Sequence, residues 1–554
     1  MQLVRKCTLA DNIKLFSTED SIVLVDRKVH YLFEWVDYYI EVLDGDFEIF
    51  FGNEKAEKIS DKLFKFTFRN YIGKSRLEIK KNRQTFLSLD VEVISKKFAK
   101  IGNKRLDRDT IPLIVDNYKA FVSSIINELR QKALELPFSI EAPTGFEFIE
   151  SDEPISEFFA YHFLRNNRER IISAYEEILK RPHKKLVDEL EWVDFWSVSE
   201  VDEDTVLGIV QYPEYLMEVK NSSLAIVKSI DGKGYAPMKL LQRNKYETFD
   251  TLENRFAKYF LSELINWSER VLGTFDTAKD GDKENGLKKL FEDIKELLND
   301  LEYFWNDSIF SEVGELTVFP YTSQVLIKRE GYRDLLELWK EFRAYSPFFG
   351  ELQRAIDNKD IAKLYEYWCF FRLVEELRKI FGKEELKIVV EPTGELSEKG
   401  NVYAEFDNGW RLYYNKKLTP KTWSYSVSLR PDFSLFNGNP NKKGTKILGI
   451  FDAKFKLDVV DVNKFAEEDR EMEKEPTLQT WAKLEDIYKM HTYRDALNAK
   501  FAVVLYPGDR SVFWKTNKEK VDKVGLNELL GEDGAELKGI GYLSFRPRFE
   551  VVDI

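Results

Sequence analysis

Within residues 426–456, SVSLRPDFSLFNGNPNKKGTKILGIFDAKFK, two aspartates and a lysine stand late in apolar runs. If 431–436 and 447–456 are neighbouring strands, the period of two sets Asp432 on the face opposite Phe433 and Leu435. By the same rule Asp452 and Lys454 share a face, and Ala453 points the other way. The polar segment 437–446 supplies the turn between them. A carboxylate in such a place is costly unless a cation or hydrogen bonds compensate it. Two converging carboxylates beside a lysine suit a hard, oxygen-seeking ion such as Mg²⁺. That ion can polarise a phosphodiester and lower the pKa of a bound water. The lysine would hold the attacking water or offset charge growing on the phosphate. The chemistry implied is phosphodiester hydrolysis. The bland alternative is a pair of surface turn acids and a solvated lysine.

The surrounding pattern must position these groups. A helix is expected at 361–381 (IAKLYEYWCFFRLVEELRKIF), with Glu366 among aromatic residues and Glu375 and Glu376 as rival acids. Strands are expected at 386–391, 402–406, 410–415, 423–429, 431–436 and 447–456. A helix at about 478–498 and a strand at 501–506 follow, which makes a mixed α/β domain with its own core. Upstream, YIEVLDGDFEIFFG, KLFKFTFRNYIG and TFLSLDVEVISKKF alternate with period two and are broken by Asp-Gly and Asn/Gly turns, as strands do. From about 111 to 355 apolar residues recur mostly at helical spacing, with a mixed stretch at 205–245. The expected fold class is multidomain α+β: a β-rich N-terminal domain (1–110), a mostly helical middle (111–355) and a C-terminal α/β domain with a mixed central sheet (356–554). Asn254 and Arg255 in DTLENRF brace a helix start or serve function. Gly73 in Asn70-Tyr71-Ile72-Gly73 would permit an unusual backbone angle in a turn.

Composition narrows the classes. The 554 residues carry 84 Lys+Arg against 97 Asp+Glu, a formal net charge of -13. That excludes a protein that coats nucleic acid by its overall field, although not one with a local basic groove. Basic residues cluster at Lys96, Lys97, Lys100, Lys104 and Arg105, at Lys416, Lys417 and Lys421, and at Lys442, Lys443 and Lys446. Two distant cysteines, Cys7 and Cys369, argue against a disulfide framework and fit a reducing cytosol. Four scattered histidines include no HExxH-type pair. No apolar run approaches the ~18 residues of a membrane span, so a cytoplasmic protein without a membrane partner is expected.

Pro431-Asp432 and Asp452-Ala453-Lys454, between a helix bearing an acid and a helix bearing polar groups, resemble the PD-(D/E)xK nuclease superfamily, whose core is restriction-endonuclease-like. KMHTY (489–493) is similar to the QxxxY element of RecB-like members, with Lys489 in place of glutamine. LYEYWCFFRLVEELRKIF, RPDF, FDAKFK and DIYKMHTYRDAL together resemble the nuclease domain of the DUF2357/McrC-like group. YETFDTLENRFAKYFL (246–261) is similar to that group's DTxENR helix. NYIGKSRLEI followed by VEVISKKF resembles the N-terminal NYxG…IEIxPK pattern of McrC proteins, with Ser95-Lys96-Lys97 where many members have Pro-Lys.

The resemblance implies a catalytic set of Asp432, Asp452, Lys454 and Glu366. Asp432, Asp452, Glu366 and the Ala453 backbone carbonyl would hold Mg²⁺ or Mn²⁺. Lys489, Tyr493 and Lys456 would support the site or touch DNA phosphate, and Lys74 and Arg76 would contact a partner. It further implies a DNA endonuclease subunit of a McrBC-type modification-dependent restriction system, activated by and stimulating a separate McrB-like AAA+ GTPase ring on DNA carrying a modified base. In keeping with a separate motor, the sequence has no G-x-x-x-x-G-K followed by Ser or Thr, and no nucleotide is expected on this chain itself. The competing functions are a scaffold or activator of an AAA+ ring with a secondary nuclease role, and a stand-alone DNA repair nuclease.

Overall fold

The computed structural model describes residues 1–554 except 26–27, 43–46, 53, 70, 82–83, 96–97, 99–110, 137, 141–154, 221–222, 277–283, 344–346, 382–386, 391–401, 421, 456–477, 509–510, 531–536 and 548–554. The described chain forms two compact units, one of 1–166, 280–290 and 340–554, the other of 167–279 and 291–339. The architecture is mixed α+β, with a β-rich N-terminus, a helical middle and a C-terminal mixed sheet.

The N-terminal alternation becomes two sheets. In the strand Asp37–Val42 every second side chain is buried, as a strand with one core-facing side requires. The rings of Phe51 and Phe66, from different sheets, stack at 4.4 Å, so the two apolar faces close on each other. The buried Tyr38 hydroxyl accepts from the Phe33 amide (2.6 Å) and donates to the Ser21 carbonyl (3.0 Å). Gly73 has φ +144°, and a Cβ there would lie 2.4 Å from the Lys359 carbonyl oxygen. Only glycine fits that approach. Alongside it, the Ile361 amide donates to the Ile72 carbonyl (3.2 Å) and Lys359 pairs with Glu92 (2.8 Å). The N-terminal strand Gly73–Lys81 is thereby tied to the start of helix Ile361–Phe381.

In the same unit, His162 packs its ring against Phe138 and Phe349 and sets Nε2 2.5 Å from the Ala133 carbonyl, which can only accept. Burial, opposed by that hydrogen bond, lowers its pKa from 6.5 to about 3.

In the second unit, helix Leu252–Asp276 is capped by Thr251, whose hydroxyl accepts from the Asn254 amide (3.3 Å). Asn254 is 1% exposed; its amide donates to the carbonyls of His183 (2.9 Å) and Phe249 (2.6 Å), and its oxygen accepts from Tyr332. Arg255 grips Asp250 through two nitrogens at 2.6 and 2.5 Å, and Asp250 also accepts from the Gly314 amide (3.0 Å). Both members of the Asn-Arg pair therefore brace the helix start.

The C-terminal sheet runs Phe138–Ile140, Lys387–Val390, Val402–Glu405, Arg411–Tyr414, Phe433–Phe436, Ile447–Ala453, Phe501–Tyr506, Gly539–Ser544, Val512–Lys515, Lys520–Asp522. The pairing of Ile447–Ala453 with Phe501–Tyr506 is parallel and that with Phe433–Phe436 antiparallel. Helix Leu478–Ala496 covers one face through Met490 and Tyr493, joined by Leu497 just beyond its end. Phe370 of helix Ile361–Phe381 meets Tyr414 and Phe433. The strand expected at 423–429 does not form. Residues 422–424 turn back onto the Thr419 carbonyl, and Tyr425 and Val427 are exposed, leaving only a bridge between Leu418 and Leu429. Alternation in WSYSVSL imitated a strand without a partner edge to bind. No helix among the described residues is long and apolar enough to cross a membrane.

Two outcomes follow. Asn254→Ala strands buried partners and should destabilise the helical unit by about 1–3 kcal/mol, read as a lower denaturation midpoint. For His162 the folded pKa is depressed, so its contribution to stability is present above pH 6.5 and declines as pH falls towards about 3. A His162→Gln variant should show a shallower loss of stability across that window in urea titrations; an unchanged slope would contradict the buried neutral ring.

Candidate active site

Antiparallel pairing sets Phe433 against Phe451, Ser434 against Ile450 and Leu435 against Gly449. Continued by one residue, that register brings Asp432 opposite Asp452. The Ala453 amide donates to Asp432 Oδ2 at 2.8 Å, locking the first aspartate onto the backbone of the second strand. Asp452 has no exposed surface. Lys454 Nζ lies 3.3 Å from its Oδ2, on the face the alternation assigned, and Lys489 Nζ lies 3.0 and 3.3 Å from its two oxygens.

Glu366 arrives from helix Ile361–Phe381. Its Oε1 accepts from the Tyr414 hydroxyl (2.7 Å) and the Asn415 amide (2.8 Å), and its Oε2 pairs with Lys363 (2.8 Å). The rivals are engaged elsewhere: Glu375 pairs with Lys132 (2.5 Å), and Glu376 with Arg372 (2.7 Å) and Lys379 (3.0 Å). Tyr493 donates to the Arg430 carbonyl (3.3 Å), and the Lys489 ammonium sits 5.3 Å from its ring centre. His491 is an exposed helix residue.

Electrostatics follow from this crowding. Burial first, then the charges of Asp452 and Glu366, push the Asp432 carboxyl up to about 8, against the pull of Lys454 and the Ala453 amide. For Lys454 and Lys489, burial alone would lower the pKa; Asp452 and Asp432 more than offset it and both ammoniums are held charged.

Asp432, Asp452 and Glu366 offer oxygen donors only, and the upward shift of Asp432 comes first from burial and then from the charges of Asp452 and Glu366. Those features fit a hard divalent cation. Among the described residues no three His, Cys, Asp or Glu side chains already stand at metal-holding geometry. Lysines and hydrogen-bond donors occupy the carboxylate oxygens instead.

One member of the site was missed in the sequence. Asn415 has φ +50°, in the left-handed region that asparagine tolerates better than most residues. Its side chain holds Glu366, its amide donates to the Asp432 carbonyl (2.7 Å), and its carbonyl accepts from Arg430 Nε (2.9 Å). It joins two of the acids at once. The available signal was an Asn immediately after a strand that borders the Asp432 strand.

The structure brings Asp432, Asp452, Lys454, Glu366, Lys489 and Tyr493 together. It places Lys74 and Arg76 elsewhere: Lys74 donates to the Asp357 carbonyl (3.2 Å), and Arg76 pairs with Asp90 across the ladder (2.9 Å). Lys456 lies outside the described residues, as do Lys96, Lys97, Lys100, Lys104, Arg105 and Lys421.

No curated protein matches the chain. Residues 64–339 match the family model of a domain of unknown function, DUF2357, and residues 363–511 match that of the PD-(D/E)XK nuclease superfamily. The second match spans Glu366, Asp432, Asp452, Lys454, Lys489 and Tyr493. The chain thus carries a PD-(D/E)XK nuclease superfamily domain behind a DUF2357 domain.

Proposed function

We propose that this chain is the metal-dependent DNA endonuclease subunit of a McrBC-type, modification-dependent restriction system, cytoplasmic and activated by a separate McrB-like AAA+ GTPase ring that it stimulates in return. The observation that carries the nuclease reading is the facing Asp432–Asp452 pair, with Lys454 3.3 Å from the buried Asp452 and Glu366 held nearby. The pairing of a DUF2357 domain with a nuclease domain in one chain, and the resemblance of its NYIG and DTLENR segments to McrC-like proteins, support the partner reading.

Asp432, Asp452, Glu366 and the Ala453 carbonyl would hold Mg²⁺ or Mn²⁺. Such an ion supplies Lewis-acid polarisation of the phosphodiester and a more acidic water when bound. The chain's own part is placement. Lys454 presents a charged ammonium where it can orient water or offset charge developing on the phosphate. Lys489, anchored on Asp452, adds a second cation that draws the phosphate toward the carboxylates. Asn415 and Tyr414 hold Glu366 in a single orientation, and the Ala453 amide does the same for Asp432.

Asp452→Asn should reduce cleavage of methylated DNA by about 10³-fold or more while the AAA+ partner still co-purifies with the variant. Loss of the complex would assign Asp452 a structural role, and strong cutting by the wild-type chain without partner or nucleotide would favour a stand-alone nuclease. Asn415→Gly preserves the positive φ and both backbone bonds but removes one of the bonds that orient Glu366. Removing one hydrogen bond to a charged group costs about 1.5–3 kcal/mol, so cleavage should fall about 10- to 100-fold, with a weaker Mg²⁺-induced thermal shift and a near-native melting temperature without metal. Wild-type values in both assays would dismiss Asn415 as a positioning residue.

A further inference from the structure

Residues 185–220 and 223–248 form an arm within the second unit. Strands Lys185–Asp194 and Lys239–Thr248 pair in unbroken antiparallel register along their whole length. They carry at their end a 3-10 turn Phe195–Ser197, the helix Glu203–Gln211 and a three-stranded sheet of Leu216–Val219, Gly234–Pro237 and Val227–Lys228. Trp192 clamps the ribbon to the end structure through Tyr212 and Tyr215, with ring centres at 5.2 and 4.3 Å, and an Asp202–Thr205 capping box starts the helix. The arm is ordered, yet it buries little of itself.

More than half of the large hydrophobic residues exposed among the described residues lie between 186 and 246. Trp196 is 79% exposed and Val210 74%. Val206 and Leu207, each one turn before Val210, make with it one outward patch on the short helix. Two-stranded ribbons are marginal on their own, and apolar exposure on this scale marks a surface meant to be covered.

The charge pattern selects the cover. From 186 to 219 the sequence has ten Asp and Glu and no Lys, Arg or His. Asp188, Asp202 and Asp204 converge on Arg243, whereas Glu200, Glu203 and Glu214 are exposed, Glu203 one turn before Leu207 on the same helix. Phosphate backbones are repelled by such a surface. The arm of a second copy would meet it with like charge, and a wholly apolar cover would bury the carboxylates unpaired.

We infer that residues 185–220 and 223–248 are a docking arm for a partner protein whose contact surface combines apolar side chains with Lys and Arg. The inference stands on the arm alone and is independent of the nuclease reading.

The test uses the full chain and two labelled amphipathic helical peptides, one of Leu and Lys and one of Leu and Glu, followed by fluorescence anisotropy at two salt concentrations. The Leu/Lys peptide should bind at least tenfold more tightly than the Leu/Glu peptide. Val206→Ser with Val210→Ser should weaken it tenfold or more, and Glu203→Lys with Glu214→Lys should do the same while flattening the salt dependence. DNA cleavage and circular dichroism should stay unchanged in both variants. Equal binding by wild type and variants would trace the attraction to the chain's overall acidity and overturn the inference. Arm-dependent self-association in sedimentation would overturn it too, by making a second copy the occupant.

Discussion

Two carboxylates held side by side, one fully buried and one partly so, are the constraint around which the nuclease domain is organised. A paired strand register forces Asp432 and Asp452 opposite each other, and burial denies Asp452 any contact with water. An uncompensated buried charge costs several kcal/mol, so the neighbours must supply cations and donors. Lys454 and Lys489 do this for Asp452, and the Ala453 amide does it for Asp432. The remaining imbalance falls on Asp432, whose proton is held to about pH 8. The carboxylate oxygens of such a site already have partners, and it binds a further cation only by loosening contacts already made.

The same constraint explains why the supporting residues come from so many elements. Glu366 belongs to a helix whose start is fixed by the Ile72 carbonyl and the close approach at Gly73. That start is five residues before the acid, so the N-terminal strand sets the helix that carries it. The carboxylate end is then fixed independently by Tyr414 and Asn415. Resemblance at NYIG and resemblance at the nuclease core therefore concern residues that meet through one helix.

Legibility in the sequence tracked locality. Asp432, Asp452 and Lys454 could be placed because strand alternation is a short-range rule and their strands are strongly apolar. The acid on helix Ile361–Phe381 was visible as a candidate, but the choice among Glu366, Glu375 and Glu376 depends on which helix face meets Tyr414 and which meets Lys132. Periodicity within one helix cannot decide that. Lys489 was visible by spacing, although its bond to Asp452 needed the fold. Asn415 was invisible because its role rests on a positive φ and on bonds to residues 49 and 17 positions away. The segment 423–429 failed the other way: it alternates, yet no strand edge is open to it.

The net charge of -13 acquires a location through these contacts. At the nuclease site the acids are matched locally by lysines, so the surplus is not there. A concentrated part of it lies in 186–219, which is acidic without any compensating base in its own sequence and apolar at its surface. An acidic chain holds DNA weakly through its overall field, and a segment that is both acidic and apolar is suited to protein rather than phosphate. On the proposed functions, charge thus separates a site that must tolerate a phosphodiester from a surface that must refuse one. A uniform spread of the same net charge would weaken both proposed functions.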